Sequence, residues 1–136
     1  MRSERGSVTA FVTVFTVALL GVAGLVFDGG LLLAAHQRAF DEAEAAARAG
    51  AQALDVDALR TGAAVRLDPF EAERRAGDYL ASIDREGTVE VSGDTVRVRI
   101  AFRQDLTILG ALGLRGRTVE GEGVARAVRG VTEGES

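Results

Sequence analysis

A chain of 136 residues with 20 acidic and 16 basic side chains carries a net charge of −4, which argues against nucleic acid as a partner. It has no cysteine to staple a domain, and all its basic residues are arginine, a usage that with abundant Ala, Gly and Val points to a GC-rich genome rather than a selected basic surface. The length suffices for one membrane anchor and one domain of roughly 80 residues, small enough to need support from the anchor helix or from neighbouring subunits.

Residues 1–6 form a basic leader with Arg2 and Arg5 against Glu4. Ser7 to Phe27 follow without a charge, and as a helix they rise roughly 31 Å, about the thickness of a bilayer's hydrocarbon core. The hydroxyls of Ser7, Thr9, Thr13 and Thr16 can bond back to carbonyls one turn earlier. The arginines before the run, and Asp28 as the first charge after it, predict a single-pass anchor in the cytoplasmic membrane over 7–27. Its N-terminus is then cytoplasmic and its C-terminal domain extracytoplasmic.

Asp28, Gly29 and Gly30 mark the membrane exit. Each glycine costs about 1 kcal/mol in a helix relative to alanine, so a bend or local unwinding is expected there. An ionisable group at a membrane boundary is a functional candidate, but the favoured reading of Asp28 is a cap on the helix resuming at Leu31. Residues 28–55 then read as an extracytoplasmic helical extension. Phe40, Ala43, Ala47, Gly50 and Leu54 form a narrow stripe of mostly small residues, suited to close packing of another helix or a sheet rather than to ligand chemistry.

A small α+β domain is expected over 56–129, entered by a connector with a turn at Gly62. Asp68-Pro69-Phe70-Glu71 starts a helix, with Asp68 as N-cap, Pro69 at the first position and Glu71 placed to reach back to the cap. It is expected to run to about Asp84, with Phe70, Arg74, Gly77, Leu80, Ala81 and Ile83 inward, and Gly87 closing the segment. The period then falls to two in Thr88–Val91 and Thr95–Arg103, joined by a turn at Ser92-Gly93-Asp94. Val96, Val98, Ile100 and Phe102 share one face, and Arg97, Arg99 and Arg103 the other. A third strand over about 117–129 offers Glu120 and Glu122 opposite those arginines.

Between the second and third strands, Leu106, Ile108, Leu109, Leu112 and Leu114 make an apolar loop. It reads either as a cap over the open end of the sheet or as a contact patch for lipid or a partner. The tail 130–136 is polar. The fold class is therefore α+β: a long N-terminal transmembrane helix extending outside the membrane, then a helix packed on a small three-stranded antiparallel sheet, a pilin-like lollipop.

The chemistry inventory is sparse. His36 is the only histidine and has no second ligand at usable spacing. No nucleophile and base pair is suggested, and no glycine-rich phosphate loop follows a strand. The expectation is a protein that is not an enzyme and takes no cofactor, metal or small-molecule substrate.

Arg5-Gly6-Ser7-Val8-Thr9 before the apolar run, Gly21-Val22-Ala23-Gly24-Leu25-Val26-Phe27-Asp28-Gly29-Gly30 at its end, Arg38, and Asp41-Glu42-Ala43-Glu44-Ala45-Ala46-Ala47-Arg48-Ala49-Gly50-Ala51 beyond resemble the N-terminal region of TadE/TadG-like proteins of the Tad (Flp) pilus system. The rest of the chain is similar to the small extracytoplasmic part of actinobacterial members. The resemblance implies a membrane-anchored minor-pilin-like or assembly component of a Tad-type pilus or related secretion system. It implies partners among pilin-like or Tad-system membrane proteins, with self-association left open. It also implies a prepilin-peptidase cut between Gly6 and Ser7. Phe11 stands where many pilin-like sequences carry the glutamate that meets a neighbour's N-terminal amine, which favours an assembly or anchoring role over a major pilin. The alternative is a secreted soluble binding domain released by signal peptidase after Gly21-Val22-Ala23.

Overall fold

The computed structural model describes residues 4–54, 60 and 66–127; Arg2, the connector turn expected at Gly62 and the tail 130–136 lie outside them. The described elements include the helices α1 (Glu4–Ala51), α2 (Pro69–Ser82) and α3 (Ile108–Ala111), and the strands β1 (Gly87–Ser92), β2 (Thr95–Gln104) and β3 (Arg117–Arg126). As expected, a long apolar N-terminal helix precedes a helix packed on a three-stranded antiparallel sheet, ordered β1-β2-β3. The chain separates into two compact units, one of Met1–Ala35 with Arg103–Arg117 and the other of His36–Phe102 with Thr118–Ser136.

α1 is long and apolar enough to cross a membrane. Two of its hydroxyls bond back as expected: Thr13 Oγ1 donates to the Thr9 carbonyl and Thr16 Oγ1 to that of Val12, each at 2.8 Å. The helix runs unbroken through Gly29 and Gly30, which corrects the expected bend. Nothing lies within 4 Å of a Cβ built at either glycine, so no neighbour wedges the backbone apart. The intact helix keeps the peptide groups around both glycines bonded, at a propensity cost of roughly 1 kcal/mol per glycine.

In the second unit the core is thin and built on close approach. Ala39, Ala43, Ala46 and Ala47 are fully buried on one side of α1. Facing them are Gly121 and Gly123 of β3. A Cβ on Gly121 would collide with the backbone of Ala39 and Phe40, and one on Gly123 with that of Ala43 and Glu44. Two strand residues rise about 6.8 Å and four helical residues about 6.0 Å, so a Gly-x-Gly strand keeps step with an Ala-x-x-x-Ala helix face. At Gly50 a Cβ would stand 2.9 Å from the Ala72 carbonyl oxygen and 3.1 Å from Val96 Cγ1, so that glycine admits both α2 and the sheet.

α2 begins as its sequence dictates. The Asp68 carboxylate accepts from the N–H groups of Phe70 (3.1 Å) and Glu71 (3.2 Å), with Pro69 at the first helical position. Glu71 does not reach back to the cap; it holds Arg74 through two bonds (2.7 and 3.0 Å) and Arg75 through one (2.7 Å). The inner face also differs from the expected one. Leu80 is buried as expected, but Ala72 and Ala76 join it, whereas Phe70 is 77% exposed and Arg74 lies outward. The small residues at four-residue spacing are the ones that fit over Gly50. The helix ends at Ser82, where Asp84 takes a left-handed φ of 55°.

β1 pairs with β2 from Gly87↔Ile100 to Ser92↔Thr95, leaving Gly93-Asp94 as the turn, with Gly93 at φ 63°. Val96, Val98, Ile100 and, from β3, Val119 fill the core side. On the other face the expected arginine–glutamate pairing falls to Glu122, which accepts from Arg97 Nη1 (2.8 Å) and Arg99 Nε (2.6 Å). Arg85 ties the unit together, donating to Glu42 at 2.7 Å while its guanidinium lies 4.0 Å over the Phe102 ring.

Candidate functional site

The unit that contains the apolar span is organised by two residues four apart on α1, Gly24 and Asp28, which therefore share one face. Ile108 and Leu109 rest on Gly24: a Cβ there would stand 2.8 Å from Ile108 Cγ2 and 3.2 Å from Leu109 Cδ2. One turn further, the Asp28 carboxylate is fully buried. Its Oδ1 accepts from the N–H of Thr107 (2.9 Å) and Ile108 (3.2 Å), and its Oδ2 from Ile108 (3.1 Å) and Leu109 (2.6 Å). These are the donors that the start of a helix leaves without intrahelical partners. Asp28 is thus a cap, as its sequence suggested, but for α3 some 80 residues further along rather than for a helix resuming at Leu31.

The apolar loop divides. Leu106, Ile108 and Leu109 are half-buried, while Leu112 is 69% and Leu114 54% exposed. Beyond α3, the N–H groups of Leu112 and Leu114 donate to the Leu109 carbonyl and that of Gly113 to the Gly110 carbonyl, at 3.0–3.1 Å. Gly29 and Gly30 are exposed, and Gly6 and Ser7 lie exposed in the first turns of α1.

Of the packing stripe, Ala43, Ala47 and Gly50 are buried against this chain's own sheet and α2, whereas Phe40 (46%) and Leu54 (37%) are largely exposed. The small residues serve an internal contact. Phe40 instead meets His36, with ring centroids 6.1 Å apart. The two line an open groove of about 810 Å³ with Glu86, Arg99, Glu120 and Glu122. Within it Arg99 is already bound by Glu122, whose carboxyl this hydrogen bond holds below its ordinary range. Among the described residues no group of three or more His, Asp or Glu could hold a metal ion.

Gly24, Thr107 and the Gly121/Gly123 pair were not singled out by sequence. A glycine and an aspartate four apart at the end of a lipid-length helix, and alternate glycines in a strand, are the signals that mark them.

No curated protein and no solved structure matches the chain. Residues 6–53, however, match a family model described as Tad, putative Flp pilus-assembly TadE/G-like. That span coincides with α1, from the first turn of the apolar run to just past the buried alanines. Over residues 6–53 this chain is therefore similar to the TadE/G-like proteins of Flp pilus assembly.

Proposed function

We propose that this protein is a membrane-anchored, minor-pilin-like or assembly component of a Tad/Flp-type pilus or related secretion system, working by docking rather than by catalysis. The observation that carries the reading is the coincidence of the TadE/G-like match, 6–53, with α1, which among the described residues is the one helix long and apolar enough to cross a membrane. In this reading Ser7–Phe27 packs among other membrane helices, with the N-terminus in the cytoplasm and the strand-bearing unit outside. Val8, Phe11, Val14 and Phe15 leave a largely apolar surface for such neighbours. Phe11 supplies no charge to pair with a neighbouring N-terminal amine, which supports a resident assembly role over a place in the filament shaft.

The test is the N-terminus and intact mass of the native protein from membrane and culture-supernatant fractions. A membrane form starting at Met1 is expected for a resident anchor. A Ser7 start would mean processing after Gly6 and a filament role, and a soluble form beginning near Gly24 would overturn the anchored reading.

A further inference from the structure

We propose that Leu106–Leu114 is a second membrane contact, a short re-entrant segment that enters the leaflet at the Phe27 end of the span and is held there by Asp28. The inference rests on Ser7–Phe27 being a membrane span and adds a site to it.

Depth comes first. Ile108 and Leu109 sit on Gly24, three residues inside Phe27, so the contact lies roughly 4.5 Å within the apolar run, measured along the helix axis. Leu25, Val26 and Phe27 at the same level are 51–72% exposed. A lipid phase that covers them also reaches the segment resting beside them. The sequence suits that phase: no charge occurs between Asp105 and Arg115, and Arg103, Asp105, Arg115 and Arg117 bracket the segment with groups that favour the headgroup region.

Backbone satisfaction is the stronger argument, because non-helical chain enters hydrocarbon only where its peptide groups have partners. The N–H groups of Thr107, Ile108 and Leu109 are taken by Asp28. Those of Leu112, Gly113 and Leu114 turn back to the carbonyls of Leu109 and Gly110. Leu112 and Leu114, the exposed leucines, are then the side chains left to meet lipid. Asp28 is a positioning residue here: its carboxylate replaces the water that these donors would otherwise need.

The chain has no tryptophan, so single reporters can be placed by substitution in the full-length protein, reconstituted in phosphatidylcholine vesicles with and without brominated acyl chains. Phe15→Trp reports the span, Leu112→Trp the segment, and Phe70→Trp, at an exposed site on α2, serves as the aqueous control. Strong bromine quenching and blue-shifted emission are expected for the first two, with at least a twofold intensity loss, and neither for the third. Quenching of Phe15→Trp without Leu112→Trp would overturn the proposal and leave the span intact. Failure of both would overturn the span and the proposal with it. A blue-shifted Leu112→Trp that bromine does not quench would put a protein partner on the segment and also overturn it. Adding Asp28→Asn to Leu112→Trp is expected to red-shift the emission and open it to aqueous acrylamide; unchanged quenching would remove Asp28 from the mechanism.

Discussion

Gly123 has the least room of any glycine in the sheet, since any side chain there meets the backbone of Ala43 and Glu44. Backbone cannot give way as a rotamer can, so Gly123→Ala is expected to cost about 1–3 kcal/mol in urea unfolding of the detergent-solubilised chain. Val124→Ala next to it, at a largely exposed site, is expected within about 0.5 kcal/mol of the parent. Little of this was legible in the sequence. Ala43, Ala47 and Gly50 stand out as small residues, but their spacing does not say whether the covering surface comes from another chain or from this one. Phe40 and Leu54 look like members of the stripe by period, yet they stay 46% and 37% exposed where the alanines are fully buried.

At the level of elements, helices and strands were readable wherever local chemistry fixes them. Asp68-Pro69 starts α2, alternation from Thr95 to Phe102 makes β2, and Gly93 at positive φ makes the hairpin turn. Propensity misled at Gly29-Gly30, where α1 continues intact through both glycines. Both positions are helical with open space around a built Cβ. The double variant Gly29→Ala, Gly30→Ala is therefore expected to stabilise α1 by about 0.5–1 kcal/mol per site, seen as a higher melting temperature by circular dichroism. α2 carries a pH dependence of its own. Hydrogen bonds from Arg74, then Arg75, lower the Glu71 carboxyl from its ordinary 4.5 to about 2. A group depressed in the folded state contributes stability that is fully present above the unfolded value and is lost as pH falls through the folded one. The melting temperature is thus expected to fall between about pH 4.5 and 2, with Glu122 adding to the same trend through Arg99. Glu71→Gln should flatten that decline by lowering the melting temperature at pH 7 toward its acid value, since the stability that the carboxylate contributes is fully present there.

For the whole molecule, the α+β class and the TadE/G-like similarity of residues 6–53 were legible because both rest on local signals, an uncharged helix-length run and its alanine-rich continuation. The Asp28 clamp was not, since it joins residues about 80 apart and no local pattern announces a partner so distant. The contact of β3 with α1 has the same character and bears on how the protein is made. Ala39 and Ala43 leave the ribosome about 80 residues before Gly121 and Gly123, which cover them. Contacts of such sequence separation form late and slow folding. The alanine face of the helix must wait uncovered until β3 arrives. A chain truncated after Gly116 is accordingly expected to keep its anchor yet be cut rapidly between Ala39 and Gly50 in limited proteolysis, where the full-length chain resists. β3 thus reports that synthesis has passed residue 126, since a chain interrupted before it leaves the alanine face of α1 uncovered.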